Sequence, residues 1–218
     1  MDAVLFDMDG VVVDSERYWP QLESERLFPE VVPEQDVNPQ EVMGMNYREI
    51  YEYLSNNYEV AVDSDRHAEL FETLANELYG ERVTCMDGFE SLVSKLQANG
   101  VSVGLVTSSP HAWIDIVLDR FELRGCFDAV ASAEDVENGK PAPDVYVRAL
   151  EALDTDSDTS VAIEDSTTGA TAAKAAGLRC IGYTGVHDGI DPEVVDTIAS
   201  DPEALARTLF DEGGGRQA

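Results

Sequence analysis

Five short apolar runs, each separated from the next by a helix-like stretch, constrain the fold of this chain most strongly. Their lengths suit strands that are buried on both faces of a parallel sheet. One stretch with helical periodicity lies between each pair of successive runs, and alternation of this kind predicts an α/β fold with a Rossmann-like, doubly wound parallel sheet. The apolar runs are 3–6, 101–106, 127–130, 161–163 and 180–182, and the helical stretches are 88–98, 112–123, 144–153 and 166–176.

The segment 16–80 interrupts this alternation. It contains no strand-like run, and helical patterns cover much of it, at 15–28, 39–56 and 64–79. Ordinary crossover helices are the simpler interpretation, but one crossover does not need so long a segment. We therefore predict an inserted α-helical cap domain at 16–80 and a discontinuous core domain at 1–15 and 81–218. The glycine-rich tail, 211–218, is predicted to fray.

The charge balance excludes several classes of partner. Asp and Glu number 44 and Lys and Arg number 14, which gives a formal net charge of -30. Such a field repels nucleic acid and anionic membranes. Abundant acid with only three lysines, Lys95, Lys140 and Lys174, is typical of halophiles, in which concentrated salt screens the repulsion. A halophilic protein that weakens at low salt is therefore predicted, with an ordinary acidic protein as the alternative.

The cysteine pattern and the hydropathy of the chain indicate its cellular compartment. The three cysteines are far apart and form no CxxC pattern, so neither a disulfide framework nor a zinc site is expected. No leader-like segment opens the chain, and no apolar stretch is long enough to cross a membrane. These features predict a cytoplasmic protein. The histidines, which lack metal-ligand spacing, are predicted to lie on the surface: His67, His111 and His187.

Polar residues cluster where the predicted strands end. In open α/β sheets, ligands bind beyond the carboxyl ends of the strands. The residues at those ends are therefore expected to meet at one edge of the sheet. They are Asp7 and Asp9 after the first strand, Thr107, Ser108 and Ser109 after the second, Lys140 in the loop after the third, and Glu164 and Asp165 after the fourth.

These residue types together indicate phosphate chemistry. Four carboxylates in one pocket repel each other unless cations offset them, and Lys140 with a divalent ion would do so. Oxygen ligands without His or Cys favour Mg²⁺. Hydroxyls and backbone N–H groups suit a phosphoryl group, and a carboxylate can attack phosphorus. Each residue alone could be a turn or helix-cap residue, but their joint occurrence favours a site.

The motifs resemble those of the haloacid dehalogenase superfamily. They are Phe6-Asp7-Met8-Asp9-Gly10, Leu105-Val106-Thr107-Ser108, Gly139-Lys140-Pro141 and Ile163-Glu164-Asp165-Ser166, in this order. The resemblance covers the whole chain except the tail. It is greatest to the branch with a helical cap between the first two motifs, which includes phosphoglycolate phosphatase and β-phosphoglucomutase.

This resemblance implies catalytic roles for four residues. Asp7 would be the nucleophile, and Asp9 would protonate the leaving oxygen and then accept a proton from the attacking water. Thr107 would hold the transferring phosphoryl group, and Lys140 would neutralise charge. The dehalogenases of the same superfamily lack the second acid, so the presence of Asp9 favours phosphate transfer.

The resemblance also implies binding roles. The Ser108 amide and Gly10 would contact phosphate, and the turn from Met8 to Asp14 would be a mobile element. Mg²⁺ would be held by the carboxylates of Asp7 and Asp165, by the backbone carbonyl of Asp9, and by Glu164 directly or through water.

The predicted cap should select the substrate, a small phosphomonoester. Trp19 and Arg48 are candidate contacts, and so are their neighbours Gly44, Met45, Asn46 and Tyr47. β-Phosphoglucomutases carry a cap histidine where this chain has Trp19, which favours a phosphatase over a sugar phosphomutase. A non-catalytic phosphate-binding or receiver-type module is the third hypothesis. We expect a monomer or weak homodimer.

Overall fold

The computed structural model describes residues 1–42 and 45–211, which form six β-strands and nine α-helices. The strands are β1 (Ala3–Phe6), β2 (Ser102–Thr107), β3 (Ala129–Ser132), β4 (Ser160–Glu164), β5 (Arg179–Tyr183) and β6 (Thr197–Ala199). The helices are α1 (Trp19–Leu22), α2 (Phe28–Val31), α3 (Tyr47–Asn57), α4 (Ser64–Glu77), α5 (Phe89–Ala98), α6 (His111–Arg120), α7 (Asp144–Leu153), α8 (Thr167–Ala175) and α9 (Pro202–Asp211).

The strands form one parallel sheet in the order β3-β2-β1-β4-β5-β6. Ala3 of β1 lies opposite Ser102 of β2 on one side and Ser160 of β4 on the other. The order reverses between β1 and β4, and ligands of doubly wound sheets bind at such a reversal. The predicted α/β class with a doubly wound parallel sheet is confirmed.

Helices cover the two faces of β1 because successive side chains of a strand point to opposite faces. Leu5 packs in a buried cluster with Tyr146 of α7 and Ala170 of α8. Phe6 faces the other way, and its ring centroid lies 5.3 Å from that of Phe89 in α5. Alternation along β1 therefore packs the sheet between two helical layers.

Two elements at the end of the sheet have weak sequence signals. β6 has only three residues, and Ile198 at its centre is 42% exposed, so it lacks a buried apolar run. α9 follows Asp201, whose carboxylate accepts a hydrogen bond of 2.7 Å from the Ala204 N–H group. An N-cap Asp before Pro202 is a usable helix-start signal.

The chain divides into two compact units. One comprises Met1–Asp14 and Thr84–Ala218 and contains the sheet, and the other comprises Ser15–Val83. In its described part the second unit contains helices and turns but no β-strand. The predicted core and cap boundaries, after residues 15 and 80, lie close to these divisions. Among the described residues, no helix has the length and apolar character needed to cross a membrane.

The first helix predicted in the helical unit, 15–28, is divided. A π-helical segment, Glu23–Leu27, separates α1 from α2, and the Phe28 N–H group donates to the Glu23 carbonyl. In a regular α-helix the carbonyl of residue 25 would accept a hydrogen bond from the N–H group of residue 29. Pro29 has no N–H group, so a regular α-helix through this segment would lack that hydrogen bond. The predicted helix at 39–56 is also shorter, because α3 begins after Asn46. Asn46 and Glu49 form a reciprocal capping box at this point.

Aromatic rings form the interior of the helical unit. Phe71 lies 5.6 Å from Trp19 and 5.0 Å from His67, measured between ring centroids. The surface position predicted for His67 is wrong, because the residue is only 1% exposed and burial lowers its pKa to about 4. Two further aromatic residues of this unit, Tyr53 and Tyr58, are half-buried, and both of their hydroxyl groups donate to the Glu41 carboxylate.

Glu23 is a buried acid in this unit. It is 7% exposed, and no group within residues 1–42 and 45–211 donates a hydrogen bond to its carboxylate. Burial, with a smaller contribution from Glu16, raises the pKa of Glu23 to about 8. The folded chain therefore keeps a proton that the unfolded chain has lost across the pH range between about 4.5 and 8.

Replacing Glu23 by glutamine should stabilise the protein at alkaline pH. Because the folded-state pKa is raised, the wild type loses stability as pH rises towards 8, by roughly 3–5 kcal/mol at most, whereas glutamine does not titrate. Urea unfolding at about pH 5 and about pH 8.5 measures this. Glu72→Gln, at an exposed glutamate of α4, is the matched control. Equal pH dependence of Glu23→Gln and the wild type would contradict the prediction.

Candidate active site

Three carboxylates meet at the reversal of strand order. Asp7 directly follows β1, Glu164 ends β4, and Asp165 follows it. The Asp7 N–H group donates to the Ile163 carbonyl over 3.0 Å, which extends the pairing of β1 with β4 by one bond. The three residues are 6%, 0% and 3% exposed, and one ligand oxygen from each lies within 4.8 Å of the others. The ends of two adjacent strands therefore create a buried anionic cluster.

Lys140 is the cation of this cluster. Its Nζ atom lies 2.6 Å from Asp7 Oδ1, 2.6 Å from Glu164 Oε1 and 3.1 Å from the Val106 carbonyl. These acceptors use all three donor directions of the ammonium group. Burial alone would lower the pKa of Lys140, but the two carboxylates raise it above its usual value, so the side chain is charged. The structure thus joins Lys140, Asp7 and Glu164 in one ion-pair network.

The single lysine leaves the cluster short of positive charge. Burial, followed by the neighbouring carboxylates, raises the pKa of Asp7 well above its usual value, although Lys140 opposes this. Burial and the charges of Glu164 and Asp9 likewise raise the pKa of Asp165. A second cation would relieve this repulsion. The donor set is oxygen only, so the cluster fits a hard divalent ion such as Mg²⁺.

Asp9 faces the hydroxyl groups that follow β2. Its Oδ2 atom accepts a hydrogen bond of 2.8 Å from Ser109 Oγ and a longer one, 3.5 Å, from Thr107 Oγ1. Thr107 Oγ1 also accepts from the Ser109 N–H group over 3.0 Å. The Asp9 side chain is therefore held beside Thr107, and it is not one of the three clustered carboxylates. Ser108, between the two hydroxyl residues, is half-buried.

Gly10 leaves room for the carboxylate of Asp165. Its φ angle is +74°, in the left-handed region that favours glycine. A Cβ atom at this position would lie 1.6 Å from Asp165 Oδ2, so any side chain would displace that carboxylate. The turn that contains Gly10 is tied at its end, because the Asp14 carboxylate accepts from the N–H and hydroxyl groups of Thr84. Gly10 therefore permits close packing around Asp165.

Three residues at this edge were not assigned a role from the sequence. The Tyr146 hydroxyl donates to Glu164 Oε1 over 2.5 Å, and Ser109 bonds Asp9. His187 Nε2 lies 2.7 Å from Asp165 Oδ2, so this histidine, predicted to lie on the surface and in fact partly exposed, contacts the anionic cluster. The sequence placed Ser109 at this end of the sheet with Thr107 and Ser108, but it did not indicate that Ser109 bonds Asp9. No sequence signal singles out Tyr146, in the first turn of an amphipathic helix, or His187, in a loop.

The candidate substrate contacts of the helical unit lie apart in sequence from these motifs. Trp19 packs against Phe71 and Tyr79, and the Arg48 guanidinium lies 5.2 Å from the centroid of the Tyr47 ring. Asn46 caps α3. Gly44 lies outside the described residues, and so does the tail at 212–218. Substrate contact by Trp19 and Arg48 stays a prediction.

Comparison with known proteins shows that this chain is similar to a family of hydrolases and to two phosphatases. The family model for haloacid dehalogenase-like hydrolases matches residues 4–183. Hexitol phosphatase B of Escherichia coli is 32% identical over 205 residues, which cover 88% of each chain. A phosphorylated carbohydrates phosphatase of Thermotoga maritima is 30% identical over 189 residues, with 86% of each chain covered.

A solved structure has the same fold. The crystal structure of CbbY from Rhodobacter sphaeroides in complex with phosphate superposes with a TM-score of 0.78 and 23% sequence identity. The match covers 92% of this chain and 94% of that one. The family model spans every motif that surrounds the buried carboxylates. The chain belongs to the haloacid dehalogenase-like hydrolase family.

Proposed function

We propose that the protein is a Mg²⁺-dependent phosphatase that hydrolyses a small sugar or polyol phosphate through a phosphoryl ester of Asp7. Its family and its phosphatase relatives make it a hydrolase of phosphoric monoesters. The observation that carries the finer proposal is the buried Asp7 carboxylate, held 2.6 Å from Lys140 Nζ at the reversal of strand order. Relatives that act on hexitol phosphates and phosphorylated carbohydrates support the substrate class.

The proposed reaction has two displacements at phosphorus. An Asp7 oxygen attacks the phosphorus atom, the ester bond to the leaving oxygen breaks, and Asp9 donates its proton to that oxygen. Water then attacks the aspartyl phosphate, Asp9 accepts a proton from it, and the bond between phosphorus and Asp7 breaks. The products are an alcohol and inorganic phosphate, and both acids return to their starting states.

Neighbouring groups support these roles. The hydrogen bond from Ser109 Oγ fixes the orientation of Asp9, and a bond of 2.8 Å from Ser132 Oγ to the Ser109 carbonyl holds that serine. The Thr107 hydroxyl lies at the same edge and is 1% exposed, which suits it to bind a phosphoryl oxygen. Lys140 offsets the negative charge that gathers as Asp7 approaches a phosphate.

The residues that would hold Mg²⁺ are Asp7, Asp165 and Glu164, with the Asp9 backbone carbonyl as a further ligand. Their buried oxygen atoms form the donor set that this ion prefers. Bound there, the ion would reduce the repulsion between the carboxylates and the phosphate and stabilise charge on the phosphoryl oxygens. Substrate selection by the helical unit, a cytoplasmic location and a monomeric or weakly dimeric state stay predictions.

Phosphate release from a panel of phosphomonoesters tests this proposal. The panel contains hexose, pentose and hexitol phosphates and phosphoglycolate, assayed in concentrated salt with Mg²⁺ or with a chelator. We expect Mg²⁺-dependent release, fastest from sugar or polyol phosphates. Conversion of a sugar phosphate to its isomer, dependent on a bisphosphate and without free phosphate, would establish a phosphomutase instead. Release that persists in the chelator would contradict the metal requirement.

A further inference from the structure

The loop after β5 brings a histidine to the anionic cluster. His187 Nε2 lies 2.7 Å from Asp165 Oδ2, and the side chain of His187 is 24% exposed. On the other side of the ring, the Gly189 N–H group lies 2.9 Å from Nδ1. Both ring nitrogens are therefore engaged, one by a backbone donor and one by a carboxylate.

These two partners determine where the ring proton lies. A backbone N–H group can only donate, so Nδ1 must accept from Gly189 and carries no proton. The proton of the neutral ring is then on Nε2, from which it is donated to Asp165 Oδ2. A histidine with one nitrogen fixed by the backbone and the other directed at a carboxylate is well suited to orient that carboxylate.

The loop is built to keep the ring in place. A Cβ atom on Gly189 would lie 2.5 Å from His187 Nδ1 and 2.5 Å from Cε1, so a larger residue would displace the ring. Gly189 has no left-handed φ angle, and the need for glycine is therefore steric. Ile190 is 6% exposed in the sheet core, and the Asp191 N–H group donates to Thr167 Oγ1 over 2.8 Å. Both contacts anchor the loop directly after the histidine.

Asp165 is constrained on the side that His187 contacts. Its Oδ2 atom receives the histidine proton and also lies against Gly10, where a Cβ atom would come within 1.6 Å. Within residues 1–42 and 45–211, no other side chain donates a hydrogen bond to the Asp165 carboxylate, although the backbone N–H group of Asp165 itself does. One oxygen of Asp165 belongs to the set of ligand atoms that it forms with Asp7 and Glu164. Rotation of the carboxylate would break the histidine bond or bring it against Gly10.

We propose that His187 is a positioning residue that holds the Asp165 carboxylate in the orientation that binds the divalent cation. The inference rests on the proposed metal-dependent function, and it assigns to the loop after β5 a role that the four sequence motifs do not include. A simpler interpretation is that the His187–Asp165 bond only fastens the loop to the core. The two interpretations differ in their effect on Mg²⁺ affinity in a protein that remains folded.

Mg²⁺ binding measured by titration calorimetry, without substrate, distinguishes them. We expect His187→Ala to raise the dissociation constant for Mg²⁺ by about 10–100-fold. Gly189→Ala displaces the imidazole ring but leaves the histidine in the chain, and it should raise the dissociation constant by a similar factor. His187→Gln keeps a donor and an acceptor and should recover much of the affinity. Saturating Mg²⁺ should restore most of kcat in all three variants.

His111→Ala is the matched control, because His111 Nε2 lies 2.9 Å from Asp135 Oδ1, in a histidine–aspartate pair that includes none of the three clustered carboxylates. It should leave Mg²⁺ affinity unchanged. Melting temperatures of all variants establish that they are folded. A dissociation constant for folded His187→Ala within about twofold of the wild type would overturn the inference. A wild type that binds no Mg²⁺ would overturn the proposed metal site and this inference together.

Discussion

Asp7→Asn should abolish phosphatase turnover while leaving the fold intact. Asparagine is nearly isosteric with aspartate and can still accept the hydrogen bond from Lys140 Nζ, but its amide cannot form the phosphoryl ester. We expect kcat to fall on the order of 10⁴-fold or more, as for loss of other catalytic nucleophiles. Steady-state phosphate release measures this. Mass spectrometry of acid-quenched enzyme should find a phosphoryl adduct on the wild type and none on the variant.

The control is the same substitution at the other end of the strands, where their amino termini lie. Asp158 is exposed and precedes β4, so Asp158→Asn changes the net charge equally without touching the carboxyl ends of the strands. It should retain full activity. Asp7→Asn should unfold at no lower urea concentration than the wild type, because removing one of three clustered carboxylates reduces their repulsion. Substantial residual turnover of folded Asp7→Asn would remove Asp7 from the role of nucleophile.

Lys140→Met should strongly destabilise the protein. The change leaves Asp7 and Glu164 as neighbouring buried carboxylates without their shared cation. Loss of one partner of a buried ion pair costs about 3–5 kcal/mol of unfolding free energy. The pKa of Asp7, already raised by burial, should rise further, so the folded variant binds a proton that the unfolded chain lacks. Its stability should therefore fall as pH rises from about 5 to about 8.

Urea unfolding at both pH values, in a chelator and then with Mg²⁺, measures these effects. Added Mg²⁺ should recover part of the loss, since the ion also neutralises the carboxylates. Lys174→Met is the control, because Lys174 pairs with Asp196 at 2.8 Å with both side chains more than one-third exposed. Exposed pairs contribute at most about 1 kcal/mol. Equal losses for the two lysine variants near neutral pH would contradict the proposed importance of the Lys140 network.

The fold was predictable wherever burial leaves a local signal. Runs of apolar residues identified the first five strands because a strand covered on both faces has no polar positions. The same reasoning could not find β6, at the edge of the sheet, where Ile198 is largely exposed. Nor did it place the π-helical segment at Glu23–Leu27, because helical periodicity alone does not distinguish α-turns from wider ones.

The site was predictable to the extent that its residues follow strands. Parallel strands in one sheet must align their carboxyl ends, so Asp7 and Asp165 had to meet once their strands paired. Lys140 was identified by its motif, although it lies in a loop. Tyr146 and His187 were missed because each reaches the cluster through packing that involves distant parts of the chain.

The sequence by itself determined the parallel α/β class, the helical insertion and the residues at the strand ends, because periodicity and spacing along the chain encode these features directly. Only the tertiary structure decided which groups satisfy the buried carboxylates. Lys140 bridges Asp7 and Glu164, Ser109 holds Asp9, and His187 holds Asp165. Hydrogen bonds depend on distance and direction in three dimensions, and these partners come from loops and helices whose placement follows from packing of the whole core.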